Sequence, residues 1–171
     1  LESYLGYYAA SWVTEHYPHR DENAYLSYGR PGRQISRYTM RDDRTAFLLV
    51  FASKKKIVAR DLAAQKAVLR EQFGKDGWET PKILARLDGA SDLYFDSVSQ
   101  IHMPKWSEGR IALIGDAAHS PSLLAGAGSA FAMLGAYVLA GELRKANGDH
   151  KTAFAAYEKR LRGLAQEMPL L

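Results

Sequence analysis

The chain has 171 residues, 47% of them hydrophobic and 25% charged, an ordinary globular composition with room for one domain or for one small domain plus part of another. The net charge of +4 is carried by scattered residues, and the longest basic run, Lys54-Lys55-Lys56, has no interleaved aromatic residues, which argues against nucleic-acid binding. There is no cysteine, which excludes disulfides and thiolate chemistry and favours a cytoplasmic protein.

The first third of the chain is rich in aromatic and small apolar residues separated by turn signals. Four strands are predicted there, over residues 4–13, 24–28, 34–40 and 46–51. Arg30-Pro31-Gly32 and Arg41-Asp42-Asp43 are typical of tight reversals between strands. This spacing predicts an antiparallel meander, and the unbroken apolar run in the last strand predicts burial on both of its faces.

Helices are predicted next. Residues 61–73 consist mostly of strong helix formers, and Gly74 stands where such a helix ends. A second helix is predicted to begin at Thr80 and Pro81, with Thr80 as its cap, and to end near Gly89. Residues 93–103 have no helical period and predict a long strand.

The last third of the chain combines a short strand, a glycine-rich loop and two helices. Residues 110–114 predict a short strand that ends at Gly115 and Asp116, followed by a loop rich in glycine. Residues 129–143 are apolar on nearly every side, which predicts a buried helix. Asn147 and Gly148 would end that helix, and Asp149 would cap the next one.

The start of the chain has neither an initiator Met nor a secretory leader, and no apolar segment is long enough to span a membrane. We therefore expect a fragment of a longer protein, without a membrane span. The histidines show no metal-ligand spacing, so no metal site is predicted.

The segment from Gly115 to Gly128 predicts a ligand site on physical grounds. A carboxylate after a strand, such as Asp116, can accept hydrogen bonds from ligand hydroxyls. The amides at the start of the following helix attract negative charge, and Gly126 and Gly128 let a flat ligand approach the backbone. The alternative is that Asp116 merely caps its turn. The glycines do not form a dinucleotide fingerprint, because Phe131 replaces the third glycine.

Residues 106–143 resemble the second flavin-binding motif of the aromatic-ring hydroxylase family, the group that includes para-hydroxybenzoate hydroxylase. The matching positions are Gly109, Arg110, Gly115, Asp116, Ala117, Ala118, His119, Gly126, Gly128, Leu139, Ala140 and Leu143. The chain departs from the family at Leu123, a frequent proline, at Ala130, a frequent Asn, and at Gly135, a frequent Asp. The family's N-terminal βαβ unit, with its glycine-rich pyrophosphate loop, has no counterpart in the sequence.

The resemblance implies an α+β / α/β fold in two parts. Residues 1–103 correspond to a mostly antiparallel substrate-binding sheet with helices, in which residues 1–13 could be the strand that leads in from the FAD domain. Residues 104–171 correspond to the C-terminal strand and helices of a Rossmann-like FAD-binding domain.

The resemblance also implies roles for single residues. Asp116 would bind a ribityl hydroxyl of FAD, while Gly126, Ala127 and Gly128 would offer amides to the pyrimidine edge of the flavin. Gly115 and Pro121 belong to the same cofactor-binding segment. His119 is assigned a structural role, and no catalytic residue is identified. Candidate substrate contacts are Tyr28, Arg33, Arg37, Tyr38 and Gln100.

The implied reaction is hydroxylation of an aromatic or polycyclic small molecule with NAD(P)H and O2 as co-substrates. Alternatives with the same fold are a flavin enzyme that inactivates a drug, a halogenase or a dehydrogenase. A different alternative is a stable, non-catalytic piece that binds a small molecule or a partner. We expect the 171 residues alone to be inactive and expect homo-oligomers to form through the apolar helix.

Overall fold

The computed structural model describes residues 2–18, 24–120 and 122–166. The chain divides into two compact units, one formed by Gly6–Ser97 and the other by Leu1–Leu5 with Val98–Leu171. The division falls inside two strands that both units share, whereas the sequence placed the boundary after Met103. Among the described residues, no helix has the length and apolarity needed to cross a bilayer.

The unit of residues 6–97 is built on an antiparallel sheet with the order β2-β3-β4-β1-β5. Its strands, two of which continue into the other unit, are β1 (Glu2–Glu15), β2 (Tyr25–Arg30), β3 (Arg33–Thr39), β4 (Arg44–Ala52) and β5 (Tyr94–His102). Strands β2 to β4 form the expected meander. The expectation fails for β1, which pairs with the far side of β4. A central position suits β1 because its middle residues, from Tyr8 to Ala10, are buried.

The two reversals lie where the sequence placed them. Gly32 has a φ of 75° and turns β2 into β3, a backbone conformation that glycine adopts without strain. Asp42 and Asp43, with φ of 61° and 53°, turn β3 into β4. Strand β4 is buried along 45–47 and 49–51, and only Leu48 between them is partly exposed, which largely confirms the expected burial on both faces.

Two helices follow in the same unit. Helix α1 (Leu62–Phe73) begins as predicted, with the Asp61 carboxylate accepting a 2.8 Å hydrogen bond from the amide of Ala64. Helix α2 (Thr80–Arg86) continues into a single 3-10 turn at Leu87–Gly89. The expectation that Thr80 caps α2 was wrong. The Thr80 amide already donates to the Gly77 carbonyl, so the turn starts one residue earlier and Glu79 takes the cap position.

Aromatic side chains join the helices to one face of this sheet. Phe51 of β4 meets Phe73 of α1 edge-on, with ring centroids 5.8 Å apart. Trp12 and Phe47 pack with centroids 5.1 Å apart farther along the same face. Because strand residues alternate between faces, this helix-covered face also carries residues 33, 35 and 37 of β3. Residues 34, 36 and 38 point the other way.

The second unit contains two short pairings and two long helices. Its elements are the hairpin β6 (Ser107–Glu108) and β7 (Ile111–Ala112), β8 (His119–Ser120) paired with the end of β5, α3 (Gly128–Lys145) and α4 (His150–Gln166). The hydrophobic core includes Trp106, Ala118, Val138, Tyr157 and Leu161. As predicted, Asn147 and Gly148 end α3, and the Asp149 side chain caps α4.

Helix α3 departs from the expectation of burial. Only Gly135 and Val138 are buried among its residues, while Met133 is 69% exposed and Tyr137 80% exposed. The sequence showed that the helix is apolar on most sides, but the hydrophobic pattern does not say which sides find a neighbour. In the described part of the chain, one narrow side of α3 is covered.

Candidate functional site

Asp116 lies in a 3-10 turn, Gly115–Ala117, that follows the β6-β7 hairpin. The turn begins three residues after β7, whereas the sequence placed Asp116 directly at a strand end. Gly115 has a φ of 60°, and a Cβ there would lie only 3.2 Å from the Cβ of Ala132 in α3. Glycine is therefore required for the turn to pack this closely on the helix.

This packing brings the Asp116 side chain to the start of α3. Its Oδ1 atom lies 3.9 Å from the position that a Cβ on Gly128 would take. The side chain is exposed, so the carboxylate can accept hydrogen bonds from a ligand. Asp116 and Gly128 are therefore neighbours in space although twelve positions separate them in the sequence.

The first backbone amides of α3 can donate hydrogen bonds to a ligand. No side-chain hydrogen bond caps the helix, unlike α1 with its Asp61 cap, and no acidic residue lies in the first turn. Gly126, with a φ of 62°, ends the preceding 3-10 turn, and a Cβ there would meet nothing within 4 Å. Its amide donates to the Leu123 carbonyl at 3.2 Å, so it is not available to a ligand as the sequence had predicted. An uncapped helix start beside an open backbone suits a flat group with a partial negative charge.

His119 lies behind this loop and is only 5% exposed. Its ring packs against Trp106, with centroids 5.0 Å apart, and edge-on against Phe131 of α3, at 5.8 Å. Burial lowers the pKa of His119, opposed in part by a backbone hydrogen bond and by the nearby Asp116 carboxylate. A neutral, packed ring agrees with the structural role expected for it.

Helix α4 supports Trp106 through a small polar cluster. One Glu158 carboxylate oxygen accepts from the Trp106 amide at 3.0 Å and from the Ser107 hydroxyl at 2.7 Å. The Arg162 guanidinium donates to the other oxygen and stacks 4.7 Å from the centre of the Trp106 ring. Burial alone would raise the pKa of Glu158, but these donors outweigh it and the pKa is lowered.

The predicted cofactor residues Gly115, Asp116, Gly126, Ala127 and Gly128 thus lie in one turn and one helix start. Pro121 lies outside the described residues.

The predicted substrate residues are spread over both units. Tyr28 stacks on Trp78 at 5.9 Å, and Arg37 lies 6.0 Å from the same ring. Arg37 is 2% exposed and donates to the Glu79 carboxylate from Nε at 2.8 Å. Arg33 donates to the buried Asp76 at 3.4 Å. These three candidates lie on the helix-covered face.

Tyr38 lies on the opposite face of the same sheet. It stacks on Tyr25 across the β2-β3 pair, with centroids 5.9 Å apart, and is 38% exposed. Gln100 belongs to the part of β5 that falls in the other unit, where it is partly exposed. No group of three or more metal-ligating side chains occurs in the described ranges.

Two features of the site were missed by sequence reasoning. Gly135 was noted in the sequence only as a departure from the family, but a Cβ there would lie 3.2 Å from Nε2 of His119. The pairing of Tyr25 with Tyr38 was also missed. The alternation of strand residues around the β2-β3 turn could have revealed the pairing of Tyr25 with Tyr38. No pattern in the neighbouring residues indicates that Gly135 lies beside His119.

Comparison with known proteins identifies the family. The model of the FAD binding domain family matches residues 4–168. A flavin-dependent monooxygenase of Legionella longbeachae is 50% identical over 103 residues, which are 60% of this chain and 26% of that protein. Among solved structures, tetracycline destructase Tet(55) superposes with a TM-score of 0.85 and 36% identity, over 97% of this chain and 44% of that one. Klebsiella pneumoniae HpxO, complexed with FAD and uric acid, gives a TM-score of 0.79 at 25% identity, over 98% and 44%.

The chain therefore belongs to the FAD binding domain family, and the expected α+β fold of flavin-dependent hydroxylases is confirmed. It spans 26% of the length of the first curated relatives that it matches. The residues present fit FAD, because the turn at Asp116 offers an acceptor for hydroxyls and the start of α3 offers amides to a negative ring edge.

Proposed function

We propose that this chain supplies part of the FAD site of a flavin-dependent monooxygenase. Asp116 would hold a ribityl hydroxyl, and the backbone from Gly126 to Gly128 would face the pyrimidine edge of the flavin. The observation that carries the proposal is the position of the Asp116 carboxylate next to the uncapped start of α3. When bound, FAD would supply the oxygen-transfer chemistry, with NAD(P)H as reductant and O2 as oxygen source.

The protein's own contribution would be to bind, orient and stabilise. A carboxylate that accepts from a ligand hydroxyl fixes the ligand's position along the turn. The helix dipole and free amides of α3 favour negative charge on the ring edge that faces them, which makes reduction of the ring easier. Arg144 and Lys145 complement the other end of the same helix.

The test is the affinity of the intact protein for FAD, measured by quenching of flavin fluorescence. Loss of a hydrogen bond to a charged group is worth about 1.5–3 kcal/mol, so Asp116→Ala should raise the Kd for FAD by about 10- to 100-fold. Asp116→Asn should fall between Asp116→Ala and the wild type. Asp92→Asn, at an exposed position in the other unit, is the charge-matched control. An unchanged Kd in Asp116→Ala would sink the proposal.

Catalysis needs a separate measurement. We expect the intact, FAD-loaded protein to oxidise NADPH or NADH faster when an aromatic substrate is added, with one oxygen atom incorporated into the product. FAD binding without any substrate-stimulated oxidation would favour the non-catalytic alternative.

For the substrate we propose a planar aromatic or fused polycyclic molecule. Among the substrate candidates, Tyr38 has the strongest support, because it lies on the face free of α1 and α2 and its ring forms an exposed stack with Tyr25. Arg37 has the least support, because Glu79 already engages its buried guanidinium. Tyr38→Ala should raise KM for the substrate while leaving FAD affinity unchanged, and Tyr38→Phe should restore KM.

A drug-inactivating reaction is the second candidate. It is favoured by the likeness to tetracycline destructase Tet(55), at 36% identity and a TM-score of 0.85. Incubation of the FAD-loaded protein with a tetracycline and NADPH, followed by mass spectrometry, tests it directly. A product one oxygen heavier supports it, and unchanged tetracycline under conditions where NADPH is oxidised with another aromatic compound contradicts it.

A further inference from the structure

The His119 imidazole is buried among hydrophobic groups and is only 5% exposed. Neither Nδ1 nor Nε2 makes a hydrogen bond of good geometry among the described residues, and besides Asp116 only the backbone of His119 itself favours a proton on the ring. Its neighbours Trp106 and Phe131 offer ring surface and no acceptor for an imidazole N–H. A phenyl ring would fill such a space without the penalty of a buried unpaired polar group, which is about 1–3 kcal/mol. The polar ring therefore needs an explanation other than packing.

Gly135 creates the space into which this ring fits. A Cβ at position 135 would lie 3.2 Å from Nε2 and 3.8 Å from Cε1 of His119. The ring thus inserts into a gap in the side of α3, and it belongs to β8, which comes just before the loop that leads to Gly128. The loop from residue 122 to 127 runs from β8 to α3. His119 therefore places the β8 end of this loop against α3, into which its other end leads.

The charged and titratable groups around the ring come from three elements. Asp116, in the preceding turn, favours a proton on the ring. From α4, the Tyr157 hydroxyl donates to the Leu113 carbonyl at 3.0 Å, and Arg162 stacks on Trp106. Glu158, also from α4, is held by its own donors. From β5, His102 is the register partner of His119 and is exposed, while Phe131 and Gly135 of α3 bring no titratable group.

We propose that His119 is a positioning residue that fastens β8 to α3 while its imidazole is neutral and releases them when the imidazole takes up a proton. A protonated ring would carry a positive charge and two N–H donors into a gap lined mostly by hydrophobic groups, so it would leave for solvent. Residues 122–127 would then no longer be held against α3 at their β8 end, and Asp116 would lose its alignment with Gly128. The consequence for FAD rests on the function proposed above.

The sign of the pH dependence follows from linkage. Burial lowers the pKa of His119 in the fastened state. The released state has the ordinary value of about 6.5 and therefore binds more protons below that pH. The fastened state keeps its full stability above about pH 6.5 and loses it progressively as the pH falls below that value.

Hydrogen exchange of the intact protein tests the proposal without FAD. After correction for intrinsic rates, exchange of the 122–131 amides in the wild type should rise by up to about tenfold between pH 7.5 and 5.5. His119→Phe should remove that pH dependence. His150→Phe is the matched control, because His150 also makes an edge-on aromatic contact, with Phe154 at 5.7 Å, but lies at the start of α4. It should behave as the wild type.

Gly135→Asp provides a second test if His119→Phe fails to fold. Its Cβ crowds the ring as that of Gly135→Ala does, but its carboxylate beside Nε2 would stabilise the protonated ring in place, so exchange should rise less between pH 7.5 and 5.5 than in Gly135→Ala. Gly135→Ala, which crowds the ring without supplying an acceptor, should raise exchange at both pH values.

Two results would overturn the proposal. The first is exchange in the wild type that does not change with pH, and the second is an unchanged pH dependence in His119→Phe. FAD binding is measured on the same samples, and its Kd should rise by up to about tenfold at pH 5.5 in the wild type and in His150→Phe but not in His119→Phe. A pH-dependent exchange without any FAD binding would support the fastening role and contradict the proposed function.

Discussion

The sheet unit and the α3 region differ in how they use their charged and large apolar side chains. In the sheet unit, the buried Arg37 and Asp76 are both engaged in ion pairs, Arg37 with Glu79 at 2.8 Å. Around α3, by contrast, Met133 and Tyr137 are largely exposed. Among the described residues, buried polar atoms without a hydrogen bond occur in both regions, at Trp12 and Thr80 of the sheet unit and at His119 beside α3, so they do not set the regions apart. The ion-paired sheet serves as a scaffold, whereas the exposed apolar side of α3 is available to bind.

The largest effect is expected where the scaffold has a buried charge. Glu79→Ala leaves the Arg37 guanidinium without its carboxylate, and we expect the free energy of unfolding to fall by about 3 kcal/mol, measured by urea titration. Glu71→Ala, at an exposed position on α1, should change it by less than about 0.5 kcal/mol. If Glu79→Ala costs less than about 1 kcal/mol, the buried Arg37 does not depend on Glu79 and the sheet unit is not set apart by its ion pairs.

An intermediate effect is expected in the core beneath the α3 region. Burial, with a contribution from Glu158, raises the pKa of Tyr157, so its hydroxyl stays protonated and donates to the Leu113 carbonyl. Tyr157→Phe should lower the free energy of unfolding by about 1 kcal/mol. Tyr137→Phe removes an exposed hydroxyl from α3 and should have no measurable effect. Equal effects of the two variants would mean that the hydroxyl of Tyr157 contributes nothing.

The smallest effect on stability is expected on the exposed side of α3. Replacing Met133 and Tyr137 by Ser in the 171-residue chain should change the free energy of unfolding by less than about 0.5 kcal/mol, because both side chains are largely in water. It should, however, reduce the self-association that we expect of this surface, measured by sedimentation velocity. Val58→Ser, at a position 79% exposed in the sheet unit, is the control. A loss of more than about 2 kcal/mol in the double variant would show that this side of α3 packs against other residues.

The local features were predictable because adjacent residues encode them. Asp61 caps α1, and Asn147 with Gly148 ends α3, since capping and left-handed turns depend on one or two side chains and on the backbone beside them. The turn at Asp116 and the open backbone at Gly126 were predictable for the same reason, since they lie in one short segment. These features are also where the resemblance to the flavin-binding motif resides.

Features that depend on where distant segments meet were decided by the tertiary structure. The aromatic and basic residues of β2 and β3 suggested a binding face, but only the position of α1 and α2 tells that Arg37 is covered and Tyr38 is not. The insertion of His119 beside Gly135 joins positions 16 residues apart, through a turn and a helix whose relative orientation no local pattern gives. The sequence by itself determined the main helices and strands, the caps of α1 and α4 and the glycine-lined turn, because these need only neighbouring residues. The fold decided which faces are buried and which polar groups find partners, because burial is a property of the assembled chain.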